Sequence, residues 1–178
     1  MALIVEDGTG LETSNAYVSV SYVTEYLTER NRHTAWAALS TPIKEASIIK
    51  ATDYIEMRFS KNFVGTKLVE DQSLSFPREY GSCETDYGLL PKNLLKASAE
   101  LAVRAGLDTT TELITDDTSG LVKRKKEKVG PIEEDTEYEN SFKTFGGIVS
   151  SDVIETYPIV DLLIEPLLTS SKGAISYR

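Results

Sequence analysis

One cysteine, one histidine and one tryptophan in 178 residues remove several chemistries at the outset. Cys83 has no second thiol with which to close a bridge inside the chain. His33 and Cys83 together fall short of the several His and Cys ligands that a zinc or similar site requires. The expectation is therefore no bound metal and no cofactor. No apolar run approaches the ~20 residues that span a bilayer, and no charged-plus-apolar leader opens the sequence. A reducing, cytosolic setting without a membrane partner follows. A chain this long buries roughly 70% of its unfolded surface, so one compact domain with appendages can fold without staples.

Catalytic motifs are equally sparse. Cys83 lies between Ser82 and Glu84, and His33 is the one imidazole that could serve it as a base. An acidic neighbour works against a thiolate, and no orienting motif accompanies the pair. Gly8 and Gly10 invite a phosphate-loop reading, but no Gly-Lys-Ser/Thr follows and no helix opens directly after them. A turn is the plainer reading of those glycines, and no enzyme is expected.

Charge is abundant and acidic: 28 Asp and Glu against 19 Lys and Arg, a net charge of −9. That balance is a poor basis for general nucleic-acid binding, which rests on neutralising phosphates. Its distribution is uneven. Lys123 to Lys128 carries five cations and one anion, while Glu133 to Glu139 carries five anions. Adjacent blocks of opposite sign suit a hairpin whose strands attract, or two faces for different partners.

Two stretches carry helical periodicity. In Ser40 to Phe59, Ser40 or Thr41 can cap, Pro42 suits the first turn, and Ile48, Ala51, Ile55 and Phe59 share one face. Lys44, Asp53, Glu56 and Arg58 leave the other side polar. Pro91 to Ala105 places Leu94, Ala97, Ser98, Leu101, Ala102 and Ala105 on a small-residue face that permits close approach, with Gly106 as its C-terminal cap. This pair is the expected core, organised around the first of the two.

Shorter elements fill in around them. Ala2 to Val5 and Ala16 to Val20 read as short strands flanking a turn, and Ser21 caps a helix that ends near Asn31. Thr34 to Leu39 reads as a helical turn with Trp36 as a core anchor. Asn62 to Gly88 reads as an irregular connection in which Leu74 and Phe76 tuck under the helices. Arg78 is expected to reach outward or pair with an acid. Asp108 to Asp117 reads as an exposed linker, Leu121 to Tyr138 as a hairpin, and Glu139 to Ser151 as a flexible connection. Tyr157-Pro158 opens a last helix through Leu168, interrupted or ended early by Pro166. The expected fold is mainly α: a small helical bundle with a β-hairpin and an extended C-terminal arm. Its expected divisions are 1–107, 108–156 and 157–178.

Several strings resemble a family of small tailed-phage proteins encoded in head-gene neighbourhoods. They are Val5-Glu-Asp-Gly-Thr-Gly-Leu11, Asn15-Ala-Tyr-Val-Ser19, Trp36-Ala-Ala-Leu-Ser40 and Ala51-Thr-Asp-Tyr54. Leu74-Ser-Phe-Pro-Arg78, Pro91 with Leu95 to Ala102, Lys126 to Ile132 and Tyr157 to Leu163 complete the series in order. Phe76 stands where the family usually has tryptophan, and the acidic stretch from Glu133 to Glu155 departs further.

Some members carry the label of a primosomal-type single-stranded-DNA-binding protein. The helical layout is also similar to head–tail connector, or adaptor, proteins. The resemblance thus implies a homo-oligomeric ring in the virion neck, assembled in the host cytoplasm. Its partners would be the portal protein, neighbouring copies of itself, and tail or nozzle proteins, with double-stranded DNA passing through unbound.

Two readings therefore compete. A strand binder wants a basic groove interleaved with aromatics, and Lys123 to Lys128 contains no aromatic. An acidic wall suits a conduit, because it does not hold passing phosphates. The connector is the preferred reading, and single-stranded-DNA binding is the alternative. Its expected contact residues are Lys123, Arg124, Lys125 and Lys126 on the hairpin, with reversal of those four to glutamate expected to spare folding. Ile159, Leu162, Leu163 and Leu167 on the last helix join them, with Ile175 and Tyr177 on the tail. The last helix could equally pack on its own bundle.

Overall fold

The structure, a computed structural model, describes residues 2–80, 90–108, 113 and 156–169, and four strands between 122 and 150. Ser19 caps helix α1 (Val20–Glu29) by accepting the Tyr22 amide at 3.1 Å, two residues earlier than the expected cap at Ser21. Asn31, at φ +53°, ends that run where expected. Helix α2 (His33–Ala37) carries Trp36, fully buried, whose indole N–H donates to Thr24 Oγ1 at 3.1 Å. Trp36 is a core anchor.

Helix α3 (Thr41–Phe59) starts where Pro42 suits it, and Ile48, Ala51, Ile55 and Phe59 are all buried. Ser40 occupies its N-cap position, yet no side chain supplies the cap bond. Helix α4 (Lys92–Leu107) buries the six small and apolar residues expected of it and also Ala99, Glu100 and Val103. It packs against α1, α2, α3 and the last helix, α5 (Pro158–Ile164). The organising element is therefore α4 rather than α3. A helix covered on nearly every side, with small residues along it, lets its neighbours approach closely.

Gly106 is not the expected cap. It sits inside the last turn of α4, where a Cβ would lie 3.0 Å from Leu39 Cδ1 and 3.2 Å from Trp36 Cζ3. The helix runs one residue further, and the glycine makes room for the indole.

The flanking segments depart further from expectation. Val5 and Ala16 form a single bridge of parallel sense, and Val20 already belongs to α1, so no hairpin forms there. Within 62–80, Thr66–Lys67 (β1) pairs antiparallel with Arg78–Glu79 (β2). Leu74 and Phe76 are buried as expected, Phe76 edge-on to Phe63 at 4.8 Å and to Tyr17 at 6.3 Å. Leu113 is buried, against the expectation of an exposed linker there.

The chain groups into two compact units: residues up to Leu113 with those from Thr156 on, and residues 114–155. In the second, β3 (Val122–Lys128) pairs antiparallel with β4 (Glu133–Tyr138), as the charge blocks suggest. Lys143–Phe145 (β5) pairs with Ile148–Ser150 (β6) across Gly146-Gly147, a stretch expected to be a flexible connection. Gly-Gly is a favoured two-residue hairpin connection, and that signal was there to read. The fold is mainly helical with a β-hairpin, as expected.

Burial separates positions that matter for folding from those that do not. Leu101→Ala, at a fully buried site on α4, should cost about 2–5 kcal/mol. Met57→Ala, at 65% exposure on α3, should stay within about 0.5 kcal/mol. Denaturant midpoints of the two variants check this.

Candidate interaction surfaces

Three carboxylates are spent on partners inside the protein. Glu6 is buried and accepts the amides of Gly8, Gly10 and Leu11 at 2.9–3.0 Å and the Ser14 hydroxyl at 2.9 Å. The glycine-rich turn thus wraps a protein carboxylate, not a phosphate. Gly10, at φ +82°, permits the close approach of Val69 and Gln72.

Glu56, expected on the polar side of α3, accepts the Ser75 hydroxyl at 2.6 Å, the Ser75 amide at 3.2 Å and a short bond from the Tyr17 hydroxyl. Glu100, 2% exposed, accepts from Tyr26 Oη at 3.0 Å, Arg32 Nη1 at 2.8 Å and Arg104 Nη1 at 3.4 Å.

The described arginines are likewise engaged. Arg30 lies 3.6 Å over the Tyr26 ring, and Arg32 and Arg104 hold Glu100. Arg58, expected on the outer side of α3, bridges to Asp161 of α5 at 2.7 Å. Among the described residues Arg78 pairs with no acid. It donates to the carbonyls of Val64 (2.7 Å), Ser75 (3.2 Å), Phe63 (3.2 Å) and Gly65. Those carbonyls lie in a loop with few ladder bonds of its own, and a planar guanidinium meets several at once.

The last helix is where the expected contact residues divide. Val160 and Ile164 are fully buried, Leu163 and Leu167 are half-buried, and Ile159 and Leu162 are 42% and 69% exposed. The Arg58–Asp161 pair and the edge contact of Tyr157 on Tyr54 at 5.4 Å fix the helix to α3. Beyond it, Glu165–Leu167 forms a single 3-10 turn, the early end expected from Pro166. The Val64 amide then donates to Leu167 O at 3.0 Å and the Thr169 amide to Asn62 O at 2.7 Å. The segment through Thr169 thus returns to its own bundle, and only one side of α5 is open. Ile175 and Tyr177 lie outside the described residues.

On the hairpin, the ladder sets Arg124 opposite Glu137, Lys126 opposite Asp135 and Lys128 opposite Glu133. Opposite charges at directly opposed positions stabilise a strand pair. Lys125 faces Thr136, and Lys123 falls in the bulge between Val122 and Arg124. Of the four, Arg124 and Lys126 would face an acid in the ladder if reversed to glutamate, while Lys123 and Lys125 would not. Among the described residues no three His, Cys, Asp or Glu side chains are grouped to hold a metal. No described helix is long and apolar enough to cross a membrane.

A family described as "Putative DnaT-like ssDNA binding protein" matches residues 1–178. The chain belongs to that family. No curated protein and no solved structure matches it. The description agrees with the strand-binding alternative, and the connector role has no counterpart in it.

The buried network that sequence reasoning missed in this DnaT-like chain has a titration signature. Burial, then the neighbouring Glu56 charge, pushes the Tyr17 hydroxyl well above its ordinary value of 10.0. Tyr22, Tyr26 and Tyr80 are raised as well, each by burial first. A raised folded-state value means that the unfolded chain releases its protons first. Stability is then full below about pH 10 and declines as pH rises above it. Tyr17→Phe should cost about 1–3 kcal/mol at neutral pH through the lost bonds. It should also flatten the alkaline decline, as unfolding at stepped pH would measure.

Proposed function

We propose that this DnaT-like family member is a structural connector of a tailed phage, without enzymatic activity. In this reading it forms a ring of its own copies between portal and tail, in the virion neck, after assembly in the host cytoplasm. Double-stranded DNA passes through the ring without specific contacts. The observation that carries the reading is the exposed row Ile159 and Leu162 on a helix whose opposite side is fixed by Val160, Ile164 and the Arg58–Asp161 pair. Apolar side chains held outward on a rigid element suit protein contact, because little ordering remains for binding to oppose. The net charge of −9 and the internal use of five arginines support it from the other direction.

Single-stranded-DNA binding is the second reading, and the family description supports it more directly than it supports a connector. Within the chain it is favoured by Lys123 and Lys125, the two cations of β3 with no acid opposite them in the ladder. Two such charges give a weak, strongly salt-dependent contact.

A labelled single-stranded oligonucleotide titrated at stepped salt separates the two readings. The connector reading expects no saturable binding at physiological salt. Tight binding whose affinity falls linearly with log salt would establish the second reading instead. In parallel, Leu162→Glu should leave the denaturation midpoint unchanged and abolish co-purification with the portal protein. Undiminished portal binding by a folded Leu162→Glu chain would remove α5 as the docking surface.

A further inference from the structure

The hairpin formed by β3 and β4 is a two-stranded sheet, and among the described residues no third strand pairs with either of its outer edges. Such a sheet presents two rows of backbone donors and acceptors, each a template for another strand. Alone in water, a two-stranded hairpin is only marginally stable, and added strands stabilise it. These edges are unlike each other. β3 carries five cations and one anion, a net +4, and β4 carries four anions, a net −4. The hairpin as a whole is neutral, with one basic edge and one acidic edge.

We infer that copies of this chain associate head to tail through the hairpin, the basic β3 edge of one copy adding to the acidic β4 edge of the next. The occupant of each edge is a second copy of this chain, selected by charge. An isologous contact would set β3 against β3 or β4 against β4, placing like charges opposite one another, which destabilises a strand pair. A β3-to-β4 contact repeats between chains the register that already holds within one chain, in which Arg124, Lys126 and Lys128 face Glu137, Asp135 and Glu133 and the single like-charge pair is Glu127 with Glu134. A contact between two different surfaces cannot stop at a dimer: it propagates, closing into a ring where the rotation per copy allows. Among the described residues the shorter β5–β6 hairpin likewise has no third strand, but its strands hold one charged residue, Lys143, and offer no such selection.

The strand-to-strand contact stands on the register and charge alone; its closure into a ring around DNA rests on the connector reading. The test uses the full-length chain with Cys83→Ser, so that each variant has a single thiol. Lys125→Cys and Thr136→Cys are made in separate chains, at positions that oppose one another in the ladder. Under mild oxidation, an equimolar mixture should give the mixed disulfide far in excess of either symmetric dimer. The double variant within one chain should close internally when dilute, which verifies the register. Light scattering should show an assembly larger than a dimer at ~0.1 M salt that dissociates toward ~1 M, where the Debye length falls from about 10 Å to about 3 Å.

Symmetric Lys125→Cys or Thr136→Cys dimers in place of the mixed product would overturn the head-to-tail contact. So would a monomer at every salt concentration, or an assembly that gives no cross-link. In the last case the ring would form through another surface, and the connector reading would survive the loss of this one. Portal co-purification reports on that reading separately.

Discussion

Helix α4 is buried on nearly every side and yet carries Glu100 at its middle, so the bundle has to neutralise a carboxylate where water cannot reach it. Breaking such a pairing by removing its partners is strongly destabilising, because the charge is left uncompensated. Tyr26 from α1, Arg32 from the turn before α2 and Arg104 from α4 itself all converge on it. The position of α1 and of the α1–α2 turn is thereby tied to one atom group on α4. Trp36 follows, since its indole reaches back to Thr24 on α1 and lies against Gly106 on α4. The small residues of α4 set the interhelical distances, and Glu100 sets which elements stand there.

The same device recurs where regular secondary structure gives out. The loop after Val5 is held by Glu6, the loop after Asn62 by Arg78, and the turn around Ser73 by Gln72. Gln72 uses both ends of its amide: Oε1 accepts the Val69 amide at 2.9 Å, and Nε2 donates to Leu74 O at 2.8 Å and Pro77 O at 3.0 Å. A single polar side chain can satisfy several backbone groups that would otherwise be buried without partners. This explains how long segments with only two short strands between them pack closely against the helices. It also removes those polar residues from any role at the surface.

What remains for function is a short inventory with two kinds of chemistry. On the helical body one such feature is the outward row of α5, apolar and fixed. On the second unit it is a neutral hairpin with edges of opposite sign. Both suit contact between proteins, and the family description adds single-stranded DNA as a competing partner. The ladder itself bears on that competition, because it sets three of the five β3 cations opposite acidic residues. The lone Cys83 lies outside the described residues, and His33, at the start of the short α2, has a buried Nδ1 with no hydrogen-bond partner among the described residues.

The sequence by itself determined the two long helices and their buried faces, because periodicity at three to four residues depends only on the local backbone. It determined the β3–β4 hairpin too, since opposite charge blocks around Gly130-Pro131 leave few other pairings. Tertiary structure alone decided that α4, not α3, is central: both stretches have an apolar stripe, and only packing shows which one is covered all round. It decided the fates of Glu6, Glu56, Glu100 and Arg78, whose partners lie up to 74 residues away in the chain. An acid within the small-residue run Ala97 to Ala102 was a visible sign that something must meet it, but not what. The division of α5 was also undecidable from the sequence: an apolar cluster on a short helix exceeds what one side can bury, and the neighbouring bundle chooses that side. It took Val160 and Ile164 and left Ile159 and Leu162 to the solvent.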